Sequence, residues 1–242
     1  MDGYIINMTI IPVTISRIEQ VTPTIRILEI NLKDQHFEYK AGQWIDCYAE
    51  IQGERKIVGY SLASSPTTKG SIELAVKISD NPVSEYIHGG AKVGDTLYIE
   101  GGQGDIYYAP GMGEKVVLIG AGIGFAPLMG MLRLIDQTPN RYAIVVQSAS
   151  SAEELVYYGE ISGIAEKNKK VTYHPTVTQE NQGNIASGRI NKDMLDTLDV
   201  DPGSFFFLSG PGGMIPELEA ALLEMGVPQE RIKYEVWWKP EH

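Results

Sequence analysis

The sequence predicts two halves of different class: antiparallel β-structure, barrel or sandwich, to about residue 110, then a parallel α/β domain running to residue 242. Three observations carry this. From residue 8 to 108, short runs of alternating polarity are broken by turns. Beyond residue 115, strand and helix patterns alternate, which implies a parallel sheet with helices on both faces. Residues 115–136, KVVLIGAGIGFAPLMGMLRLID, join the first strand of that half to its first helix through three glycines at alternate positions.

In the first half the clearest strand is 71–78. Ile72, Leu74, Val76 and Ile78 point one way and Ser71, Glu73, Ala75 and Lys77 the other. A second strand, with Ile45, Cys47, Ala49 and Ile51 on one face, places the single cysteine among apolar neighbours, as a small core residue and not a nucleophile. Further strands are expected at 13–18, 24–30 and 96–100, with turns at 40–42, 52–53 and 94–95. One short helix, 83–88, follows Asp80, Asn81 and Pro82. Two segments carry more polar chemistry than packing requires. Gly59-Tyr60-Ser61-Leu62-Ala63-Ser64-Ser65-Pro66 combines an aromatic ring with several hydroxyls, and Lys77 to Ser84 runs from a strand into a helix start. A hydroxyl and free amides at a helix N-terminus can hold a phosphate, or Ser84 is an ordinary cap.

In the second half, Val116, Val117, Leu118 and Ile119 suit a strand buried on both faces. Gly120, Gly122 and Gly124 follow, with Ile123 between the last two, and Ala126 and Pro127 open an apolar helix. Glycine admits positive φ and lets a phosphate approach backbone amides; proline suits a first helical turn, where its missing N–H breaks no bond. The helix directs about half a unit of positive charge at that turn. The alternative is a turn that is merely tightly packed. The usual dinucleotide fingerprint is not met: the third glycine comes one place early, and the next strand, 142–147, ends in Ser148 and Ala149 instead of a carboxylate. The remaining strands are expected at 171–176, 204–209 and 232–236, and the helices at 126–135, 152–167, 192–198 and 215–225, with Gly226 as a stop. Ligands bind at the C-terminal ends of such strands. Two ends look prepared: Ser209-Gly210-Pro211-Gly212-Gly213-Met214 and Tyr234-Glu235-Val236-Trp237-Trp238. Segment 178–190 is polar and reads as a mobile loop, and the boundary between halves falls at 109–113.

Composition narrows the function. A net charge of -11 argues against nucleic acid. Lys167, Lys169 and Lys170 read as a solvated turn. A single cysteine builds no disulfide, iron–sulfur cluster or cysteine zinc site, and no metal site is expected. No apolar run approaches membrane-spanning length and the start lacks a secretion signal, so the expected location is cytoplasmic.

Together these marks resemble the ferredoxin–NADP reductase-like superfamily, in its NAD(P)H-dependent flavin reductase and oxygenase-reductase branches. What is specific is their order: Tyr60-Ser61, the Ser84 helix start, GAGIGFAP at 120–127, SGPGGM at 209–214 and YEVW at 234–237. The resemblance implies an N-terminal antiparallel Greek-key β-barrel (1–110) that holds FAD, with FMN as an alternative. It also implies a C-terminal five-stranded parallel α/β nucleotide-binding domain (111–242) that takes NADH or NADPH. Tyr60 would pack on the flavin, with Ser61 near its reactive nitrogen and Leu62 and Ala63 beside it. Ser84 and neighbouring amides would face its phosphate. Gly120, Gly122, Ile123, Gly124, Ala126 and Pro127 would support the pyrophosphate, and Ser209, Gly210 and Pro211 would border the nicotinamide, with Lys77, Ser148 and Met214 as further cofactor contacts.

The implied activity passes hydride from the nicotinamide to the flavin and electrons on to an external acceptor, a protein or small molecule. Ser61, Ser209 and Glu235 are its candidate catalytic residues. Trp237 covers the flavin or, with Trp238, caps the sheet. NADH is favoured because no arginine follows the second strand at 148–151. One departure stands out: the family places an arginine two residues before the tyrosine, and this chain has Val58, which weakens the hold on flavin phosphate unless Arg55 or Lys56 compensates. A non-catalytic nucleotide-binding subunit, or an electron-transfer subunit of a larger complex, is the alternative.

Overall fold

The computed structural model describes residues 10–179, 185–198 and 200–234. Its first sheet has six antiparallel strands: β1 (Ile11–Gln20), β2 (Ile25–Asn31), β3 (Trp44–Ile51), β4 (Glu54–Ser61), β5 (Ser71–Lys77) and β6 (Thr96–Gln103). They lie in the order β4-β3-β6-β1-β2-β5, so β6 is inserted between two hairpins. The ends of this row meet: Ala63 N–H donates to Glu73 O at 2.9 Å and Leu62 bridges Leu74, which closes the barrel just past β4. Alternating side chains fill the interior, among them Val13, Leu28, Ile45, Leu74 and Cys47. Burial and the neighbouring Asp46 push the Cys47 thiol up to about 12, so it stays protonated and inert.

Two sequence expectations change here. Ile72, Leu74 and Val76 face the core, but Ile78 lies beyond the end of β5 and is 53% exposed. Ala75, expected on the polar face, is buried, because the α/β domain covers that side of β5. Strand β4, ERKIVGYS, gave no alternation signal, since from Glu54 to Gly59 it has a sheet partner on one side only and is largely solvated. The helix after β5, α1 (Pro82–Gly89), is capped by Asn81, whose side chain accepts from Val83 N–H.

The second sheet is parallel: β7 (Lys115–Ala121), β8 (Tyr142–Ala149), β9 (Val171–Val177), β10 (Ala186–Ser187), β11 (Phe205–Ser209) and β12 (Ile232–Tyr234), in the order β10-β9-β8-β7-β11-β12. The sixth strand beyond the five expected is β10, two residues inside the segment read as a loop. Helices α2 (Phe125–Gln137), α3 (Tyr158–Lys167), α4 (Lys192–Asp196) and α5 (Met214–Glu224) accompany these strands. The helix expected from residue 152 starts only at Tyr158. Residues 152–154 form a single tight turn, and Tyr157 takes a left-handed φ of 63° that interrupts the helix. Strand order reverses at β7, which sets a crevice between the ends of β7 and β11. Among the described residues no helix is long and apolar enough to cross a membrane.

Helix α2 ties the two sheets together. Ten of its residues are buried, and one apolar cluster joins its Phe125, Ala126 and Met129 to Ile25, Ala63 and Ala75 of the barrel. The approach is closest at Gly130, where an added Cβ would lie 2.7 Å from Leu62 O and 3.0 Å from Ser64 O. Gly130→Val should therefore destabilise the chain by about 1–3 kcal/mol, the usual cost of overpacking. A thermal melt should show a loss of roughly 2–4 °C per kcal/mol, and an unchanged melting temperature would contradict this packing.

Candidate active site

Between the barrel and the α/β domain lies a cleft of about 860 Å³. Its barrel wall comes from the end of β4 (Gly59, Tyr60, Ser61), the start of β2 (Thr24, Ile25) and the end of β5 (Ala75, Lys77). Its other wall is made by the turns that follow β7, β8 and β11. All lie at or next to strand ends.

The floor is bare backbone. Gly122 has a φ of 54°, and a Cβ on it would meet nothing within 4 Å, so it would project into open space. A Cβ on Gly124 would lie 2.7 Å from both Ser209 O and Gly210 Cα, so the turn after β7 touches the turn after β11 with no room for a side chain. Gly124 also begins α2 without a side-chain cap, which leaves the helix N-terminus available to an anion.

Two hydroxyls at this cleft lack partners. Tyr60 Oη and Ser209 Oγ are buried and make no hydrogen bond among the described residues. Burial raises the Tyr60 phenol well above its ordinary value, so it remains a neutral donor. A buried, unsatisfied hydroxyl costs about 1–3 kcal/mol. Lys77 and Arg189 bring positive charge from opposite walls, and Glu154 and Glu217 bring negative charge. Glu154 is held by Thr22 Oγ1 at 3.0 Å and Thr24 Oγ1 at 2.7 Å, which both donate to Oε2.

The structure brings together Tyr60, Ser61, Lys77, Gly122, Ile123, Gly124, Ala126, Pro127, Ser148, Ser209, Gly210, Pro211 and Met214 around this one space. Four other candidates stand apart from it. Leu62 and Ala63 are buried where the barrel closes. Gly120 lies behind the turn, where a Cβ would meet Leu128 Cδ1 at 2.7 Å and Phe125 Cδ2 at 2.8 Å, so its smallness serves packing. Ser84 is committed internally: its Oγ donates to Lys77 O and accepts from Ser79 N–H. Arg55 and Lys56 do not replace the arginine missing at Val58. Arg55 pairs with Glu50 and stacks on Tyr98, and Lys56 donates to Glu54, all away from the cleft. Glu235 and Trp237 lie outside the described residues. Thr24, Ser79, Ser150, Thr178, Arg189 and Glu217 also line the cleft but were not singled out. Ser150 and Thr178 follow strand ends, where the general rule for such sheets points, whereas Arg189 carries no motif.

A closed barrel, a parallel sheet with its crevice at β7 and β11, and a glycine-floored cleft between them define a two-domain oxidoreductase of the flavin and nicotinamide class. Residues 12–108 match the family described as Oxidoreductase FAD-binding domain, and residues 118–219 match Oxidoreductase NAD-binding domain. The Oxidoreductase NAD-binding domain-containing protein 1 of Danio rerio is 31% identical over 240 residues, covering 89% of this chain and 87% of the relative. Among solved structures, the FAD/NAD-binding domain of nitric oxide dioxygenase from Vibrio cholerae superposes with a TM-score of 0.84 at 25% identity, over 93% of this chain and 98% of the other. Flavohemoglobin from Malassezia yamatoensis with bound FAD and heme gives 0.82 at 26% identity, over 96% and 61%. The chain belongs to the ferredoxin–NADP reductase-like oxidoreductases, with an FAD-binding domain followed by an NAD-binding domain.

Gly124→Ala tests the floor. Its Cβ has to displace the 209–210 backbone, so NADH affinity in a calorimetric titration should drop about 10-fold, equivalent to about 1.4 kcal/mol. Equal affinity would place the dinucleotide elsewhere.

Proposed function

We propose that this chain is an NADH-dependent flavoprotein reductase that binds FAD on its barrel, residues 1–110, and the nicotinamide nucleotide on residues 111–242, and delivers electrons to an external acceptor. The observation that carries the reading is one cleft whose walls bring Tyr60 and Ser61 of the barrel opposite Ser209 and Gly210 of the α/β domain, over the glycine backbone at Gly122 and Gly124. These residues fit a planar heterocycle with a phosphate tail: an aromatic face and hydroxyls on one side, an uncapped helix N-terminus on the other. When bound, FAD supplies the capacity to take two electrons from a nicotinamide together and to part with them singly.

The chain's own work is binding, orientation and exclusion of water. Tyr60 would pack its ring against the flavin. Ser61, next along β4, would hydrogen-bond the ring nitrogen that takes up the hydride. The backbone amides of the turn at Gly122, Ile123 and Gly124 would hold the dinucleotide pyrophosphate, with Ala126 and Pro127 alongside. Ser209 donates to the nicotinamide carboxamide, against which Gly210, Pro211 and Met214 pack. Glu235 is assigned proton movement and Trp237 the role of covering the flavin, both from the family resemblance.

Lys77 takes the phosphate role that Val58 leaves vacant, as the cation that the barrel contributes to the cleft. A lysine ammonium gives a point charge where an arginine gives two parallel donors, so the FAD is held weakly and exchanges. NADH is preferred because Ser148 at the end of β8 and Ser150 just past it, not an arginine, stand where the adenosine ribose would lie. The similar flavohemoglobin holds FAD and heme, and the other similar structure is a domain of a nitric oxide dioxygenase. A cytoplasmic haem protein or small oxidant is the acceptor we assign. Val58 alone favours a second reading, a nucleotide-binding subunit that no longer uses flavin.

One experiment separates the two. Protein titrated with FAD should develop flavin absorbance, and anaerobic NADH should bleach it faster than NADPH does. Protein that retains no FAD after desalting, yet still binds NADH, would support the second reading, and bound flavin that NADH leaves oxidised would overturn the reductase. In stopped flow, Ser61→Ala should slow bleaching about 10-fold, the effect of one lost transition-state hydrogen bond of roughly 1.4 kcal/mol. An unchanged rate would remove Ser61 from the chemistry.

A further inference from the structure

Behind the cleft, a cluster of charged and phenolic groups crosses from one domain to the other, and none of it touches the space where ligands fit. Arg133 on α2 donates from Nη1 to Glu73 Oε1 on β5 at 2.8 Å and to Ala63 O at 2.9 Å. Its other face grips Glu160 on α3 in a two-pronged contact, Nε to Oε1 and Nη2 to Oε2, both 2.7 Å. Tyr157 donates to the same Glu73 Oε1 at 2.9 Å, while Glu73 Oε2 lies 3.6 Å from Arg17 on β1. Arg133 and Glu73 side chains are only 18% and 13% exposed.

Tyr157 carries the left-handed φ of 63° that breaks the chain between the turn at 152–154 and α3. A non-glycine residue held there costs on the order of 1–3 kcal/mol. What that backbone achieves is to send a buried tyrosine to Glu73, while three residues earlier Glu154 reaches Thr22 and Thr24 on the barrel. Segment 154–160 therefore grips the barrel at two places, at the rim of the cleft and behind it.

We propose that Arg133, Glu73 and Tyr157 are positioning residues: they form a latch that fixes the separation of the two walls and so the approach of nicotinamide to flavin. The geometry gives the reason. Arg133 fastens α2 to Ala63, two residues past Ser61, and α2 is the helix that begins at the glycine floor. The same rod thus carries one ligand's site at its N-terminus and, about two and a half turns along, is bolted to the strand that carries the other's. A buried ion pair is a poor source of net stability, because apolar residues of similar volume often do as well. It does impose a defined relative orientation, and hydride transfer is steeply sensitive to that orientation.

The inference rests on the reading given under Proposed function, and the experiment keeps the two apart. Spin labels at Lys92→Cys on the barrel and Lys167→Cys on α3, both exposed positions, report the inter-domain distance without any ligand, since buried Cys47 does not label. The parent should give one narrow distance; adding Glu73→Gln or Tyr157→Phe should broaden or shift it. With FAD and NADH, each variant should keep its FAD and NADH dissociation constants within twofold. Its flavin-bleaching rate constant should fall about 10-fold, as a misplacement well under 1 Å can produce, and the long-wavelength charge-transfer absorbance of the mixed complex should weaken. Arg133→Lys, which keeps the charge but loses the fork, should sit between the parent and Glu73→Gln.

An unchanged distance distribution overturns the latch, and so does a wild-type bleaching rate in Glu73→Gln. If ligand affinities fall while the rate constant holds, the cluster supports binding alone and the proposal also fails. A parent that never bleaches overturns the proposed activity, while the ligand-free distances still decide the latch.

Discussion

The structure depends on helix α2 being in backbone contact with its surroundings at two glycines. At Gly124 it abuts the turn after β11, and at Gly130 it abuts the carbonyls of Leu62 and Ser64. Ordinary side-chain packing separates helices from their neighbours by 8–10 Å; here that spacing is given up at both points. The reward is geometric: one helix presents its uncapped N-terminus to the cleft and lies against the barrel segment that follows Tyr60 and Ser61. The spacing of the two walls takes its value from that wedge.

This arrangement also explains how the site divides its labour. Around the cleft the chain offers mostly small residues, glycine, alanine, serine and threonine, with isoleucines and a few charged groups among them. Such a surface recognises through amides and hydroxyls fixed by the sheet, and it leaves the demanding electron chemistry to whatever the cleft holds. The strongly paired groups lie behind it, at Arg133, Glu73 and Glu160, where they order the frame without entering the ligand space.

Much of the fold was legible because its signals are local. Alternation marked β5, and the apolar run Val116–Ile119 with its glycines marked β7 and α2. The order of the small-residue turns pointed to the family and to most of the cleft. What stayed hidden depends on contacts between distant residues. Strand β4 is solvated along much of its length, so it shows no period, and β10 is only two residues long. Ser84 reads as a phosphate donor until Lys77 O and Ser79 N–H are seen to occupy it. The Tyr157 kink and the pairing of Glu73 with Arg133 join positions scattered along the chain, and no motif announces either.

The one-sided β4 has a consequence of a different kind. An unpaired strand edge is a template on which another molecule's sheet can grow. From Glu54 to Lys56 this edge carries three consecutive charges, each neutralised locally: Glu54 with Lys56, and Arg55 with Glu50. These cations do not stand in for the family's missing arginine. They keep the barrel's open flank hydrated and disfavour the pairing of another strand there, although Ile57 alongside them is half exposed.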